Sequence, residues 1–374
     1  MKKRNALLWV IMICIPIILA GCFEGEQSME ETDPPPENVK EMDEEGNMGD
    51  VSVDEEGEGN LEESDLNEDK ETQGDDSSDK STDETVKREL YLIDADGMVA
   101  SQTLELPKSE EVATQAMEYL VKGGPVTEIL PNGFEAVLPE GTEILGLNSE
   151  DDGTMIVDVS TEFENYVADD ELKILQAMTY TLTQFDNVDR IALWINGYPQ
   201  DTMPVDGTPI QEGYSRANGI NLTNSDSADM IDSMPVTLFY PATYNDNEYT
   251  VPITQHISVE DNDVYSAMVQ ALIDGPGFGT ELSHVFNNGT MLTHSPSLND
   301  GTLELEFSED ILKDADKATI ADEVMKSLVL SLTEDESVEA LNISVENVDT
   351  LYDENGESYD EPVTKETFVP SEKL

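Results

Sequence analysis

Few residues of this 374-residue chain are of the types that carry out thiol or metal chemistry. Its two cysteines, Cys14 and Cys22, both lie close to the N-terminus, so no disulfide framework is available to the rest of the chain. The three histidines, His256, His284 and His294, show no His-x-x-x-His or similar ligand spacing. We therefore expect no metal site and no cofactor, which leaves a thiol near the N-terminus and the carboxylates as candidates.

Carboxylates are abundant, because the chain has 83 Asp and Glu residues against 18 Lys and Arg, for a formal net charge of −65. Two carboxylates can cleave a glycosidic bond, and Asp158 and Glu306 hold matching positions in the repeat described below. The alternation of their strands predicts that both face solvent, and the chain has no Gly-x-Ser-x-Gly motif of a serine hydrolase. We expect no enzyme activity, with a carboxylate pair that binds or cleaves the cell wall as the alternative.

The negative charge also restricts the partners of the chain. Binding to nucleic acid needs a basic face that displaces counterions from phosphates, so nucleic acid is excluded as a partner. An anionic lipid surface would repel the chain as well. Any association with a membrane must therefore come from an apolar or covalent anchor.

The N-terminus has the features of such an anchor. A basic Lys-Lys-Arg segment at 2–4 precedes an apolar run at 6–19, which is short for a membrane span. The run ends in Leu19, Ala20, Gly21 and Cys22, and this ending resembles the lipobox of bacterial lipoproteins. The resemblance implies cleavage after Gly21 and a diacylglyceryl group on the Cys22 thiol, which would hold the chain at the outer face of the cell membrane. An uncleaved signal anchor is the alternative.

A strongly acidic segment follows the predicted signal peptide of residues 1–21. Residues 23–86 contain 26 acidic residues, three lysines and a single aromatic residue, Phe23. Such a segment cannot bury enough apolar surface to offset the loss of chain entropy. We expect residues 22–86 to be a disordered tether behind the lipidated cysteine.

The rest of the chain contains an internal repeat. The segment 152–160, which begins Asp-Gly-Thr, recurs at 300–308, and the segments 119–125 and 174–184 recur in the same order at 271–277 and 324–334. The repeat predicts a first domain at 87–220, a polar linker at 221–233 and a second domain at 234–370.

Each copy shows the same order of predicted elements. In the first copy, a strand pair at 89–93 and 103–106 precedes a short helix, and a second strand pair at 143–148 and 154–159 meets at the hairpin signal Asp152-Gly153. A longer helix at 170–185 precedes a last strand at 189–195. The side chains expected on the buried side of that helix are Leu172, Leu175, Met178, Leu182 and Phe185. The pattern predicts an α+β domain in which two helices cover one face of a small, largely antiparallel sheet.

The order of these motifs resembles the GerMN domain family. The resemblance depends on the strand and turn at 90–97, the Leu-x-x-Gly-Pro helix end at 272–276, and the Gly-Thr, Asp-Gly-Thr and Val-Asp-Val-Ser segments between 141 and 160. It implies a ring-building type of fold and an assembly role in sporulation and spore germination. The expected partners are envelope proteins between mother cell and forespore, or further copies of the chain. A solute-binding lipoprotein is a weaker alternative, because small duplicated domains offer no evident large cleft.

Overall fold

The computed structural model describes residues 84–222, 233–277 and 280–369. The predicted signal peptide 1–21, the predicted lipidation site Cys22 and nearly all of the tether lie outside these residues, as does most of the predicted linker 221–233. Within the described ranges, no helix is both long enough and apolar enough to cross a membrane.

Residues 84–222 form the first domain. Its strands are β1 Thr85–Ile93, β2 Val99–Pro107, β3 Ile144–Ser149, β4 Thr154–Val159, β5 Arg190–Ile195, β6 Tyr198–Pro199 and β7 Tyr214–Ser215, and its α-helices are α1 Val112–Glu118 and α2 Glu171–Leu182. The strands β3, β4, β5 and β6 pair in that order, and β7 also pairs with β5. Because α2 connects β4 to β5 as a crossover, these two strands are parallel, while β3 and β6 pair antiparallel with their neighbours.

The second domain repeats this arrangement with a shorter first edge strand, β10. Its strands are β8 Ser233–Tyr244, β9 Asn247–Ser258, β10 Ser297–Asn299, β11 Thr302–Phe307, β12 Leu312–Asp314, β13 Thr319–Ile320, β14 Ala340–Val345 and β15 Val363–Thr364, and its α-helices are α3 Val264–Asp274 and α4 Asp322–Leu332. The sheet order is β10, β11, β14, β15, again with a parallel central pair, and β12 pairs with β13.

The first hairpin of each domain is not part of the sheet described above for that domain. It pairs instead with the first hairpin of the other domain. The strands pair in the order β1, β2, β9, β8, so one four-stranded sheet contains two strands from each domain. The contact between β2 and β9 is antiparallel and centres on Ser101 and Thr250. Asn221 closes this junction, since its side-chain amide donates to the carbonyl oxygens of Val99 and Pro252 at 2.7 and 2.8 Å. The two domains are therefore continuous through backbone pairing, which the sequence did not indicate.

The longer helices pack on this joined sheet through a duplicated contact. The Thr181 hydroxyl in α2 accepts from the Tyr91 backbone N–H of β1 at 3.0 Å. In the second domain the Ser331 hydroxyl in α4 accepts from the Phe239 N–H of β8 at 2.8 Å. Since each hydroxyl satisfies a buried backbone donor on an edge strand, the two copies of the repeat agree at the level of single hydrogen bonds.

Several predicted elements differ in detail from the structure. The strand predicted at 154–159 is confirmed, but β1 and β2 extend beyond 89–93 and 103–106, because the two strands pair with each other over their whole length, 85–93 against 99–107. Leu175, Met178, Leu182 and Phe185 are buried as predicted.

The prediction for Leu172 was wrong, because this side chain is 37% exposed. It lies in the first turn of α2, where the carboxylate of Glu171, 1% exposed, takes the buried position. That carboxylate accepts from the backbone N–H groups of Val205, Asp206 and Thr208 at 2.6 to 3.0 Å. The helix start therefore packs on a polar loop and not on the apolar core.

Candidate interaction surface

The two carboxylates considered for glycan cleavage lie on different sheets. Asp158 is on β4, and its Oδ1 accepts from the Gly197 N–H at 2.9 Å. Glu306 is on β11, and its Oε2 lies 2.6 Å from Nδ1 of His294. Both carboxylates are half-buried on strands whose alternate residues are buried, so both side chains lie on the outer faces, as alternation predicted. Each carboxylate has its own local partner.

The three histidines also have separate local contacts. Nδ1 of His256 lies 3.2 Å from the Ser233 hydroxyl, and Nε2 of His284 lies 2.7 Å from the carbonyl oxygen of Ile273. His294 contacts Glu306. Across residues 84–222, 233–277 and 280–369, no group of three or more His, Cys, Asp or Glu side chains could hold a metal ion.

Asp94, in the turn after β1, is a structural carboxylate. It is 4% exposed, and its Oδ1 accepts from the N–H groups of Asp96 and Met98 at 3.0 and 2.8 Å. Its Oδ2 accepts from the Tyr249 hydroxyl of the second domain at 3.2 Å. Burial raises the pKa of Asp94 against the opposing effect of these hydrogen bonds. The side chain thus closes its own turn and contacts the other domain, which leaves it little capacity for a ligand.

The outer face of the first-domain sheet has an unusual composition. Along β4 and β5 the inward side chains are buried, while Ile156, Asp158, Ala192 and Trp194 are half-buried on the opposite face. In the parallel ladder Ile156 lies beside Ala192, and Asp158 lies beside Trp194. The next strand, β6, places Pro199 beside Trp194. This outer apolar face therefore presents an indole, a branched aliphatic side chain and a carboxylate next to one another.

The corresponding face of the second domain is polar. Its ladder places Glu304 beside Asn342 and Glu306 beside Ser344. These residues hold the ladder positions of Ile156, Ala192, Asp158 and Trp194, so the indole is replaced by a hydroxymethyl group and the aliphatic side chain by a carboxylate. Since the two domains share one fold, the backbone does not require apolar residues there. The difference makes the outer apolar face a candidate interaction surface.

Charged groups border the outer apolar face. Arg190 on β5 contacts Asp152 at 3.1 Å and donates from Nε to the Thr154 hydroxyl at 2.9 Å. Hydrogen bonds from Thr154 and Arg190 hold the pKa of Asp152 below its usual value. At the edge of the sheet, Tyr198 is 70% exposed. The chain thus combines apolar contact area with a charged rim, which is the usual anatomy of a protein interface.

This surface was not identified from the strand pattern alone, because alternation shows only that Ile156 and Trp194 face away from the core. The signal was present in the repeat, however. Aligning the two copies places Ile156 opposite Glu304 and Trp194 opposite Ser344. A comparison of the two copies by side-chain polarity would have marked both positions.

Both domains are similar to known proteins. A family model described as Germane, sporulation and spore germination, matches residues 89–201 and 237–350. The spore germination protein GerM of Bacillus subtilis (strain 168) is 40% identical over 376 residues, which cover 99% of this chain and 98% of that protein.

Solved structures show the same similarity. The tandem GerMN domains of the sporulation protein GerM from Bacillus subtilis match with a TM-score of 0.70 and 44% identity, and the match covers 75% of this chain and 97% of that one. The first GerMN domain alone is 58% identical, with a TM-score of 0.34 over 35% of this chain and 98% of that one. The predicted α+β class with two tandem domains is confirmed.

Proposed function

Since the chain belongs to the Germane family of sporulation and spore germination proteins, we propose that it is a membrane-anchored, non-enzymatic assembly component of the cell envelope. The family membership confirms the resemblance drawn from the sequence, and it carries the role in sporulation and germination. The anchor, the absence of catalysis and the assembly role are the parts that we propose. In this proposal the chain contributes to a complex between mother cell and forespore.

The anchor is supported by the N-terminal sequence. A basic segment, a short apolar run and the Leu-Ala-Gly-Cys ending at 19–22 match the requirements of lipoprotein processing. Two acyl chains on Cys22 would provide stable attachment, since each buried methylene contributes about 0.8 kcal/mol. The described domains would then lie outside the cytoplasm at the outer face of the cell membrane.

The non-enzymatic role is supported by the local partners of the candidate side chains. Asp94 is occupied by its own turn and by Tyr249. Asp158 and Glu306 belong to different sheets and contact Gly197 and His294. A purified chain should therefore release no fragments from peptidoglycan in a zymogram, and release of muropeptides would contradict this part of the proposal.

The assembly role depends chiefly on the outer apolar face of the first domain. We infer that it docks an envelope protein whose surface combines apolar contacts with basic side chains. A basic partner is favoured because Asp158 lies directly beside Trp194 and because the chain carries a formal net charge of −65. An indole next to a carboxylate suits a guanidinium or ammonium group through cation–π and ionic contacts.

The repeat supplies a matched experiment. The double variant Ile156→Glu, Trp194→Ser gives the first domain the side chains of the second, and both positions face away from the core. In sporulating cells we expect normal protein levels but impaired spore germination. The control variant Glu304→Ala, Ser344→Ala changes the same positions of the second domain and should leave germination intact.

Contact with the partner can be tested in the same cells. A photo-crosslinking amino acid at position 194 should give discrete crosslinks to envelope proteins, whereas one at position 344 should not. Equal crosslinking from both positions, or normal germination of the first-domain double variant, would contradict docking at the outer apolar face.

A further inference from the structure

The second domain contains a groove that the assembly role does not use. It lies between the start of β9, helix α4 and the C-terminal segment at 353–368, and its volume is about 410 Å³. This volume is within the range of small-ligand sites, about 300 to 1,000 Å³. The side chains that give the groove its chemistry are those of Glu248, Glu323, Lys326, Ser327, Tyr359 and Phe368.

Two donors line this groove without a partner among the described residues. Lys326 of α4 is half-buried and forms no ion pair within 4 Å with a described residue, although Glu89, Glu323 and Glu248 lie near enough to influence its charge. Burial lowers the pKa of its ammonium group. The adjacent Ser327 is 1% exposed, and its hydroxyl has no hydrogen-bond partner in the described part of the chain. Buried polar groups are almost always paired, so the Ser327 hydroxyl indicates a missing acceptor beside the lysine.

Carboxylates at the mouth of the groove repel one another and would be stabilised by a cation. Partial burial and the negative charges of Glu248 and Glu354 raise the pKa of Glu323, and these effects exceed the opposing influence of Lys313 and Lys326. A cationic group placed between Glu248 and Glu323 would relieve this repulsion. Tyr359 and Phe368 add half-buried aromatic surface to the same groove.

The first domain lacks these features at the matching positions. Gln176 and Ala177 of α2 correspond to Lys326 and Ser327 of α4, since Thr181 and Ser331 make the equivalent contacts one turn later. Gln176 is 2% exposed, and its side-chain oxygen accepts from the Asn221 N–H at 3.4 Å. In the first domain the chain itself satisfies this position.

We propose that the groove of the second domain binds a small zwitterion with an apolar body, of the class of free amino acids and short peptides. Its carboxylate would accept from Lys326 and Ser327, its ammonium group would lie toward Glu248 and Glu323, and its apolar part would contact Tyr359 and Phe368. A zwitterion has no net charge, so the overall negative charge of the chain does not repel it. This site is separate from the outer apolar face, and either proposal can fail without the other.

The test is isothermal titration calorimetry of the full-length protein. The probes are L-leucine and the dipeptide L-leucyl-L-leucine, which distinguish an amino acid site from a peptide site. N-acetyl-L-leucine lacks the ammonium group, and L-leucinamide lacks the carboxylate. We expect saturable binding of at least one zwitterion and binding at least about tenfold weaker for either blocked analogue, because each loses a charge-assisted hydrogen bond.

Variants assign the binding to the groove. Lys326→Gln and Ser327→Ala introduce the residues of the first domain, and each should weaken binding, by about tenfold or more for Lys326→Gln. Lys317→Gln removes an exposed lysine elsewhere in the domain and should bind like the wild type. Thermal unfolding checks that each variant is folded. If Lys326→Gln does not fold, the affinity of Ser327→Ala is the test of the groove. The proposal is overturned if neither zwitterion binds up to about 10 mM, a concentration at which a millimolar site would be saturated. It is also overturned if leucinamide binds as tightly as leucine, or if the groove variants retain full affinity.

Discussion

Arg216 of the first domain and Glu334 of the second form an ion pair in which Nη1 and Oε1 are 2.8 Å apart. The side chains are only 21% and 12% exposed, and Nζ of Lys365 lies 3.4 Å from the same oxygen. Arg216 and Lys365 each follow the last short strand of their domain, so both repeats direct a cation to one carboxylate. The guanidinium of Arg216 also lies over the ring of Tyr180, 4.4 Å from its centroid. The junction of the domains thus contains a shared and largely buried charge cluster.

Removal of the shared carboxylate should destabilise the protein. Glu334→Gln leaves Arg216 and Lys365 facing each other without a counter-ion, and we expect a loss of about 2 to 4 kcal/mol in the free energy of unfolding at neutral pH. Urea unfolding of the full-length chain measures this loss. Glu336→Gln, at an exposed position two residues away, is the control and should change stability by no more than about 0.5 kcal/mol. Equal stability of both variants would mean that the cluster does not hold the domains together.

The same cluster predicts a dependence of stability on pH. Burial opposes ionisation of Glu334, but Arg216 and Lys365 outweigh it and hold the pKa of Glu334 below the usual value of 4.5. A carboxyl group with a lowered pKa stabilises the fold above its unfolded pKa and loses this effect as the pH falls through its folded pKa. Stability measured below about pH 4.5 should therefore fall more steeply for the wild type than for Glu334→Gln. Parallel profiles would contradict this assignment.

Glu171 should make a second contribution to stability that is lost at low pH. Burial disfavours its charge, but backbone N–H groups of Asp206 and Thr208 and the Tyr166 hydroxyl lower its pKa to about 2. Glu171→Gln removes one acceptor oxygen and should cost about 3 kcal/mol at pH 7. In the wild type this contribution should disappear between about pH 4.5 and pH 2.

Chemical denaturation at a series of pH values measures the Glu171 effect. The exposed Glu164→Gln is the matched control, because it removes a carboxylate nearby without buried donors. A pH profile of Glu171→Gln that still falls like that of the wild type would show that another group is responsible.

Substitutions of Asp94 test whether its carboxylate is structural or binds a ligand. Asn keeps the oxygen that accepts from Asp96 and Met98, and its amide can donate to the Tyr249 hydroxyl. Because burial raises the pKa of Asp94, the fold gains no stability from its negative charge. Asp94→Asn should therefore unfold within about 1 kcal/mol of the wild type, whereas Asp94→Ala should lose about 2 kcal/mol. Equal losses in thermal unfolding would show that the negative charge is required.

The proposed anchor has a direct test. Cys22→Ala removes the thiol that would carry the diacylglyceryl group. We expect this variant to leave the membrane fraction of fractionated cells, while the wild type stays in it, and a substitution of Cys14 to Ala should change nothing. Membrane retention of Cys22→Ala would instead support an uncleaved signal anchor.

Local patterns in the sequence determined much of this protein. Alternation and helical spacing are set by neighbouring residues, so they located β4 and the apolar stripe of α2 from Leu175 to Leu182. The Asp152-Gly153 and Asp300-Gly301 turns followed from residues that tolerate positive φ, and Gly153 and Gly301 adopt φ values of 82° and 78°. The duplication was also visible, because it is a relation between residue types along one chain.

Only the tertiary structure decided how the two copies meet. The pairing of β2 with β9 and the ion pair of Arg216 with Glu334 join residues more than 100 positions apart, and nothing in a local window specifies such contacts. The same holds for the burial of Glu171 and for the groove beside Lys326, which need segments far apart in the chain. Amphipathic patterns show which side chains avoid water. Which surface covers these side chains depends on the packing of the whole chain, since several surfaces could satisfy the same pattern.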